Sequence, residues 1–233
     1  MKLSVFDKIK LKFSKKSRVL VLGDSHTAVF QCPEFNLFFK QHYTTYVENV
    51  GGATISGLTN PNSKTNAKDL FERAFKEIKP HTLITQLGEV DTGFVIWYRA
   101  DKYDTTVEEM LETCVLNYQE FLRNHKGSDN TIVVSAPIPT IKDDQSWGEI
   151  ANLRKEIKAT LRERTELTLR FNCRMKKVSE AQGCHFLDLD NDSIGKDGLI
   201  SEQLLNDNPN DHHYNQSIYL NLLIKHLSKI LKS

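Results

Sequence analysis

From Arg18 onward the chain alternates short apolar runs with longer segments in which apolar residues recur every three or four positions. Val19 to Leu22, closed by Gly23, is the first run, and a short valine-rich stretch ended by glycine predicts a buried strand. Tyr46 to Val50 before Gly51-Gly52, Thr82 to Leu87 before Gly88, Thr131 to Val134 before Ala136-Pro137, and His185 to Leu189 predict four more. Between them, Ala67, Leu70, Ala74 and Ile78 in Ser63 to Ile78, and Met110, Leu111, Cys114, Tyr118 and Leu122 in Thr106 to Leu122, predict amphipathic helices. Glu149 to Glu180 keeps Leu153, Ile157 and Leu161 in step, breaks phase, and resumes at Leu167, Phe171, Met175 and Val178, which predicts two stacked or kinked helices. A last helix from about Asn215 into Ile230 carries Leu220, Leu223, Leu227 and Ile230, with His226 off the stripe. Asn60 to Ser63, Pro137 to Trp147 and Asp190 to Pro209 are left as loops.

Strands separated by helices of this length require crossover connections. The expected fold is therefore α/β, a three-layer α/β/α sandwich with a central, mainly parallel five-stranded sheet. In such sheets ligands bind beyond the carboxyl ends of the strands, so the residues just after the strand glycines are where chemistry belongs.

Composition narrows the picture. The 233 residues, 39% apolar and 26% charged, suffice for one core, and a net charge of +1 disfavours nucleic acid as a partner. The basic charge is local: the first 18 residues carry seven basic side chains against Asp7, a local +6 that leaves the remainder at −5. Residues 1–17 read as a basic leader in which Val5, Ile9 and Phe13 lie four apart. Such a segment either packs on the domain or touches an anionic membrane or a protein partner, and residues 18–233 form the single domain. Lysines interrupt any signal-like apolar stretch there, no segment is long and apolar enough to span a bilayer, and Cys32, Cys114, Cys173 and Cys184 form no C-x-x-C pair. A reducing, cytoplasmic setting and no cofactor are expected.

Gly23-Asp24-Ser25-His26 places a serine directly after the first strand. Alone it reads as a helix cap; a nucleophile needs a histidine base oriented by a carboxylate. Asp207-Asn208-Pro209-Asn210-Asp211-His212-His213-Tyr214-Asn215, leading into the final helix, supplies both. The other readings of that loop are a solvated turn or a metal site on Asp207, Asp211, His212 and His213. Asn172 reads as a surface or core-edge hydrogen-bonding residue. Asp188 to Asp192 imitates a calcium loop, but Ser193 and Leu199 stand where glycine and glutamate are required.

Carried on these blocks, the chain resembles the SGNH (GDSL-like) hydrolase superfamily, in the subset whose first block reads Gly-Asp-Ser-His. The resemblance implies the flavodoxin-like SGNH hydrolase fold, with Ser25 as nucleophile and as one oxyanion donor through its N–H. The second block matches Asn49-Val50-Gly51-Gly52-Ala53-Thr54, giving Gly52 as the second donor and Gly51 as the alternative. In the third block the family's Gly-x-Asn-Asp becomes Gly88-Glu89-Val90-Asp91, so Val90 replaces the asparagine donor. In the last block the family's Asp stands three before its His; here Asn210 holds that position and Asp211 stands two before His213. His213 is the implied base and Asp211 the orienting carboxylate, with His212 and Asp207 in reserve. Asp24, His26, Gly88, Glu89, Asp91 and Asn210 are site neighbours, and Trp97, Arg99 and Trp147 candidate walls.

The expectation is a serine esterase acting on a small-molecule or glycan ester, with an O-acetyl group among the candidates and no metal. An acyltransferase using the same site and a non-catalytic binding protein on the same fold are the alternatives.

Overall fold

The computed structural model describes residues 11, 14–125, 128–143 and 157–231. Twelve of the 17 leader residues, Val5, Ile9 and Phe13 among them, therefore lie outside the described residues, as do Trp147 and the first part of the Glu149 to Glu180 segment, while Ser17 already begins the first strand. Five strands, β1 (Ser17–Gly23), β2 (Tyr43–Asn49), β3 (Thr82–Gln86), β4 (Asn130–Val134) and β5 (His185–Leu187), pair in the order β2-β1-β3-β4-β5. Every pairing is parallel. The order reverses between β1 and β3, the switch point at which open parallel sheets form a crevice.

Side-chain alternation along the strands builds two separate cores. Leu20, Leu22 and Leu83 pack with α2 (Ile55–Leu58), α3 (Ala67–Ile78), α5 (Val107–Asn124) and α6 (Leu161–Ala181). Val19, Val21, Ile84, Ile132 and Val134 face the other way, onto α1 (Pro33–Phe39) and α8 (Gln216–Leu227). This is the three-layer sandwich that the alternating pattern implied.

Local signals account for most helix starts. Thr106 and Thr160 each cap a helix reciprocally with the glutamate three residues on, Glu109 and Glu163. From Leu161 onward α6 is one continuous helix, so the phase break before Leu167 is not a kink within it. Arg164, Thr165 and Thr168 are buried on the same helix as Leu167, Phe171 and Met175. Polar residues occupy part of the inward face, and the apolar stripe only looked interrupted. In the last helix His226 turns off the stripe toward Asp192, 3.1 Å away.

Several elements lie where no helix was expected. The chain forms a 3₁₀ turn over Ser25–Gln31, α1, a π-helical turn over Asp91–Val95 and α4 (Ile96–Lys102). Within Asp190 to Pro209, expected as loop, lie α7 (Asp190–Ser193), an antiparallel bridge from Ile194 to Ile200 and a 3₁₀ turn over Glu202–Leu204.

Two buried polar side chains tie the strand ends to the helices. Asn172, expected at the surface or core edge, is 1% exposed. Its Oδ1 accepts from Ala136 N–H at 2.8 Å, and its Nδ2 donates to Ala136 C=O at 3.0 Å and to Asp190 Oδ1 at 2.7 Å. It thus completes the backbone just past β4. Asp91, fully buried, accepts from Ile55 N–H at 2.8 Å, Ser56 N–H at 3.2 Å and Ser56 Oγ at 3.0 Å. It holds the start of α2, and with it the glycine turn before it, against the end of β3. Burial pushes the Asp91 carboxyl up to about 6, against the Ile55 and Ser56 donors and the Arg99 charge. Burial and the Asp188 charge push Asp190 up to about 7.

Two outcomes are expected from these clamps. Asn172→Ala strands both backbone groups of Ala136 and lowers the unfolding free energy by roughly 2–4 kcal/mol in urea titrations at pH 7; a loss below 0.5 kcal/mol would refute the clamp. Between pH 4 and pH 6 the folded state retains a proton on Asp91 that the unfolded state has released. Wild-type stability therefore falls as pH rises through that window, by up to about 3 kcal/mol. Asp190 adds a further decline toward pH 7. Asp91→Asn removes the first part of the slope, read from urea midpoints at pH 4, 5, 6 and 7.

Candidate active site

The serine is fixed by a close approach between strands. A Cβ on Gly23 would stand 2.2 Å from the Gln86 carbonyl oxygen and 2.4 Å from Thr27 Cγ2, so only glycine lets β1 end so near β3. The next residue, Asp24, is 0% exposed. Its carbonyl accepts from Thr27 N–H at 3.1 Å, Thr27 Oγ1 at 2.7 Å and Asn49 Nδ2 at 2.8 Å. Its side chain accepts from His26 N–H at 2.9 Å, capping the 3₁₀ turn that Ser25 begins. Ser25 is half-buried at the first position of that turn. Its N–H is among the donors that a helical start leaves without an internal partner.

The histidine loop is built by a ladder of side-chain turns. Asn206 Oδ1 accepts from Asn208 N–H, Asn208 Oδ1 from Asn210 N–H and Asp211 Oδ1 from His213 N–H, each at 3.0 Å. Asn and Asp favour such turns because the short side chain reaches the amide two residues on. The loop is strapped to the chain beyond β4: Tyr214 OH accepts from Ile138 N–H at 2.6 Å, and Thr140 Oγ1 donates to the His212 carbonyl at 2.6 Å. Nothing in the local sequence pattern announces either strap.

The same turn orients the base. Asp211 Oδ1, already holding the His213 amide, also meets His213 Nδ1 at 2.6 Å. The two-residue spacing, which departs from the family's three, is the spacing this geometry needs. Asp24-Ser25-His26 repeats the device, with Asp24 Oδ1 3.1 Å from His26 Nδ1. The His26 and His213 rings lie 4.8 Å apart between centroids, tilted by 55°. Burial alone would raise the Asp211 carboxyl, but the His213 amide and ring bonds and the charges of His213 and His212 outweigh it and hold it below the ordinary range. Asp211 is thus the anion that an imidazolium requires.

These residues line a pocket of about 300 Å³ bounded by Ser25, His26, Asn49, Asn206, Asp211, His213 and Gln216. The first and last sequence blocks therefore meet. Other candidates are not brought into that pocket. Gly51 and Gly52 are exposed, in a turn closed by Ala53 N–H on Val50 C=O with Gly52 at φ 69°. Gly88 and Glu89 are buried, and Asp91 holds α2. Asn210 is exposed, and Asp207 accepts from Asn215 rather than from His213. Of the expected walls, Trp97 donates to Thr92 C=O at 2.8 Å and packs on the core, while Arg99 lies by Asp91; neither lines the pocket.

His213 Nε2 is buried with no hydrogen-bond partner among the described residues, so the bond to Ser25 Oγ is not made in this arrangement. Catalytic hydrogen bonds in unliganded sites are often long and tighten only with substrate. What the arrangement offers is an imidazole with Nδ1 fixed by a carboxylate, Nε2 directed away from that carboxylate, and a serine on the same pocket wall.

No family model matches the chain, and no curated protein matches it in sequence. Solved structures do. A GDSL-like lipase from Bacteroides thetaiotaomicron superposes with a TM-score of 0.59 at 15% identity, covering 99% of this chain and 93% of that one. A catalytic mutant of Axe2, an acetylxylan esterase from Geobacillus stearothermophilus, gives a TM-score of 0.58 at 12% identity, over 93% and 96%. A protein of Slackia heliotrinireducens assigned provisionally to the SGNH hydrolases gives 0.55 at 14%, over 92% and 98%. With the switch-point crevice and the strand order, these superpositions establish that the chain has the fold of the GDSL-like and SGNH hydrolases.

Proposed function

We propose that the protein is a serine ester hydrolase. The observation that carries the reading is the 2.6 Å Asp211–His213 contact in a loop that shares a pocket with Ser25. Ser25 Oγ attacks the ester carbonyl while His213 Nε2 accepts its proton. Asp211 stabilises the imidazolium, and His213 returns the proton to the departing alcohol. Water activated by the same nitrogen then releases the acid from the acyl-enzyme. The Ser25 N–H is the proposed oxyanion donor within the pocket; the Gly52 N–H, in an exposed turn outside the pocket lining, joins it only where substrate draws that turn in. Val90 offers no side-chain donor, and one missing donor is worth about 100- to 1,000-fold in rate. A slow enzyme on unselective substrates is therefore expected.

The substrate proposed is a small acyl ester, acetyl among the candidates, of a carbohydrate or other polar alcohol. A pocket of about 300 Å³ admits a short acyl chain, and the Asn49, Asn206 and Gln216 amides on its wall suit hydroxyl groups. The acetylxylan esterase among the superposed structures is consistent with that class.

The test is covalent labelling by a fluorophosphonate, followed by intact mass, with p-nitrophenyl acetate turnover alongside. Wild type is expected to take one adduct. Ser25→Ala takes none, and both Ser25→Ala and His213→Ala lose at least about 1,000-fold in turnover. Asp211→Asn, which leaves the ring without its anion, is expected to lose roughly 100- to 10,000-fold. Folded wild type that takes no adduct and turns over no ester would overturn the reading in favour of a binding protein on this fold.

A further inference from the structure

The histidine loop holds more than a triad requires. One ligand atom each from Asp211, His212 and His213 lies within 4.8 Å of the other two. The His212 and His213 rings stand 4.1 Å apart, tilted by 34°. Two imidazoles and a carboxylate, all part-buried, are a donor set suited to Zn²⁺ and neighbouring divalent transition metals, and not to Mg²⁺ or Ca²⁺, which take oxygen ligands. Bond lengths near 2.0–2.2 Å bring ligand atoms somewhat closer together than the present spacing. That adjustment falls on the His212 and His213 rings, which pack on one another and, through His212, on His26.

We propose that Asp211, His212 and His213 form a binding site for a divalent transition-metal ion of the zinc type, and that its occupancy switches the esterase off. The inhibitory half rests on the proposed function; the binding half does not. The inhibition follows from imidazole chemistry, whichever ring nitrogen of His213 the ion takes. At Nε2, the metal occupies the lone pair that would accept the serine proton. At Nδ1, it replaces the Asp211 contact and leaves the remaining proton on Nε2, so that nitrogen becomes a donor and cannot act as base. Either way no electron pair is left for Ser25. His212 does not touch the reacting atoms in the proposed chemistry, so the two roles separate at it once each variant is read against its own metal-free turnover.

The experiment titrates Zn²⁺ alone into metal-stripped protein by isothermal calorimetry at pH 7.5, with wild type and His212→Ala side by side. Ester turnover is measured across the same zinc range, and Co²⁺ absorption reports coordination. Wild type is expected to bind one Zn²⁺ per chain and to lose turnover in parallel, with EDTA restoring it. His212→Ala is expected to bind at least about tenfold more weakly and, read against its own metal-free turnover, to resist inhibition. Co²⁺ should give the visible bands of a low-coordinate nitrogen and oxygen site in wild type only. A second variant, His212→Gln, guards against misfolding, with circular dichroism as the control. No saturable binding, or binding equal in wild type and both His212 variants, would overturn the site. Binding that follows the His212 variants in a protein without esterase activity would leave the site standing and overturn the proposed function instead.

Discussion

The whole candidate site hangs on the carbonyl and carboxylate of one residue, Asp24. At the end of β1 its carbonyl gathers three donors from Thr27 and Asn49, and its buried side chain caps the turn that follows. A buried carboxylate is expensive unless its oxygens are matched; here Oδ1 is matched by the amide and ring of His26, while Oδ2 has no hydrogen-bond partner among the described residues. Ser25 is consequently presented from a cross-bonded end of β1. The room for that cross-bonding exists because Gly23 lets β1 and β3 approach so closely.

A second buried carboxylate gives the other half of the frame. Asp91 belongs to the block in which the asparagine donor is missing, and it grips the backbone of Ile55 and Ser56. The third block thus acts on the second by holding the glycine turn in place, even though Val90 contributes no donor of its own. What the block has lost in direct chemistry it keeps in architecture.

Much of this was legible in the residues. Short apolar runs marked the strands, three of them closed by glycine; β1 and β3, buried along most or all of their length, need no alternation. That the Ser25 turn and the Asp211–His213 loop meet was legible in the sequence blocks, and both Asp-x-His segments, Asp24–His26 and Asp211–His213, form the same side-chain turn. The rest was hidden for physical reasons. The turn over Ser25–Gln31 is held by a cap and by Val29 and Phe30 packing inward, with no helical period to detect; in α1, Pro33 ahead of Phe35 and Phe39 was the signal overlooked. The single helix from Leu161 was masked by buried Arg164, Thr165 and Thr168. Asn172 and Asp91 act on partners distant in sequence, Ala136 and Ile55, and no local pattern encodes such pairings. The same holds for the straps from Ile138 and Thr140 onto the histidine loop.

The placement of that loop has a temporal consequence. The serine turn, its caps and all five strands are encoded ahead of the loop that carries Asp211 and His213, which comes after β5 and before α8. On the proposed chemistry, Ser25 is therefore encoded long before the histidine that would activate it, and a chain released before residue 213 carries a serine without that base. A single protease cut within the exposed stretch 207–210 would break the covalent link between Ser25 and His213 while leaving the sheet uncut. The order of elements along the chain thus makes the proposed reactivity the last property the molecule acquires.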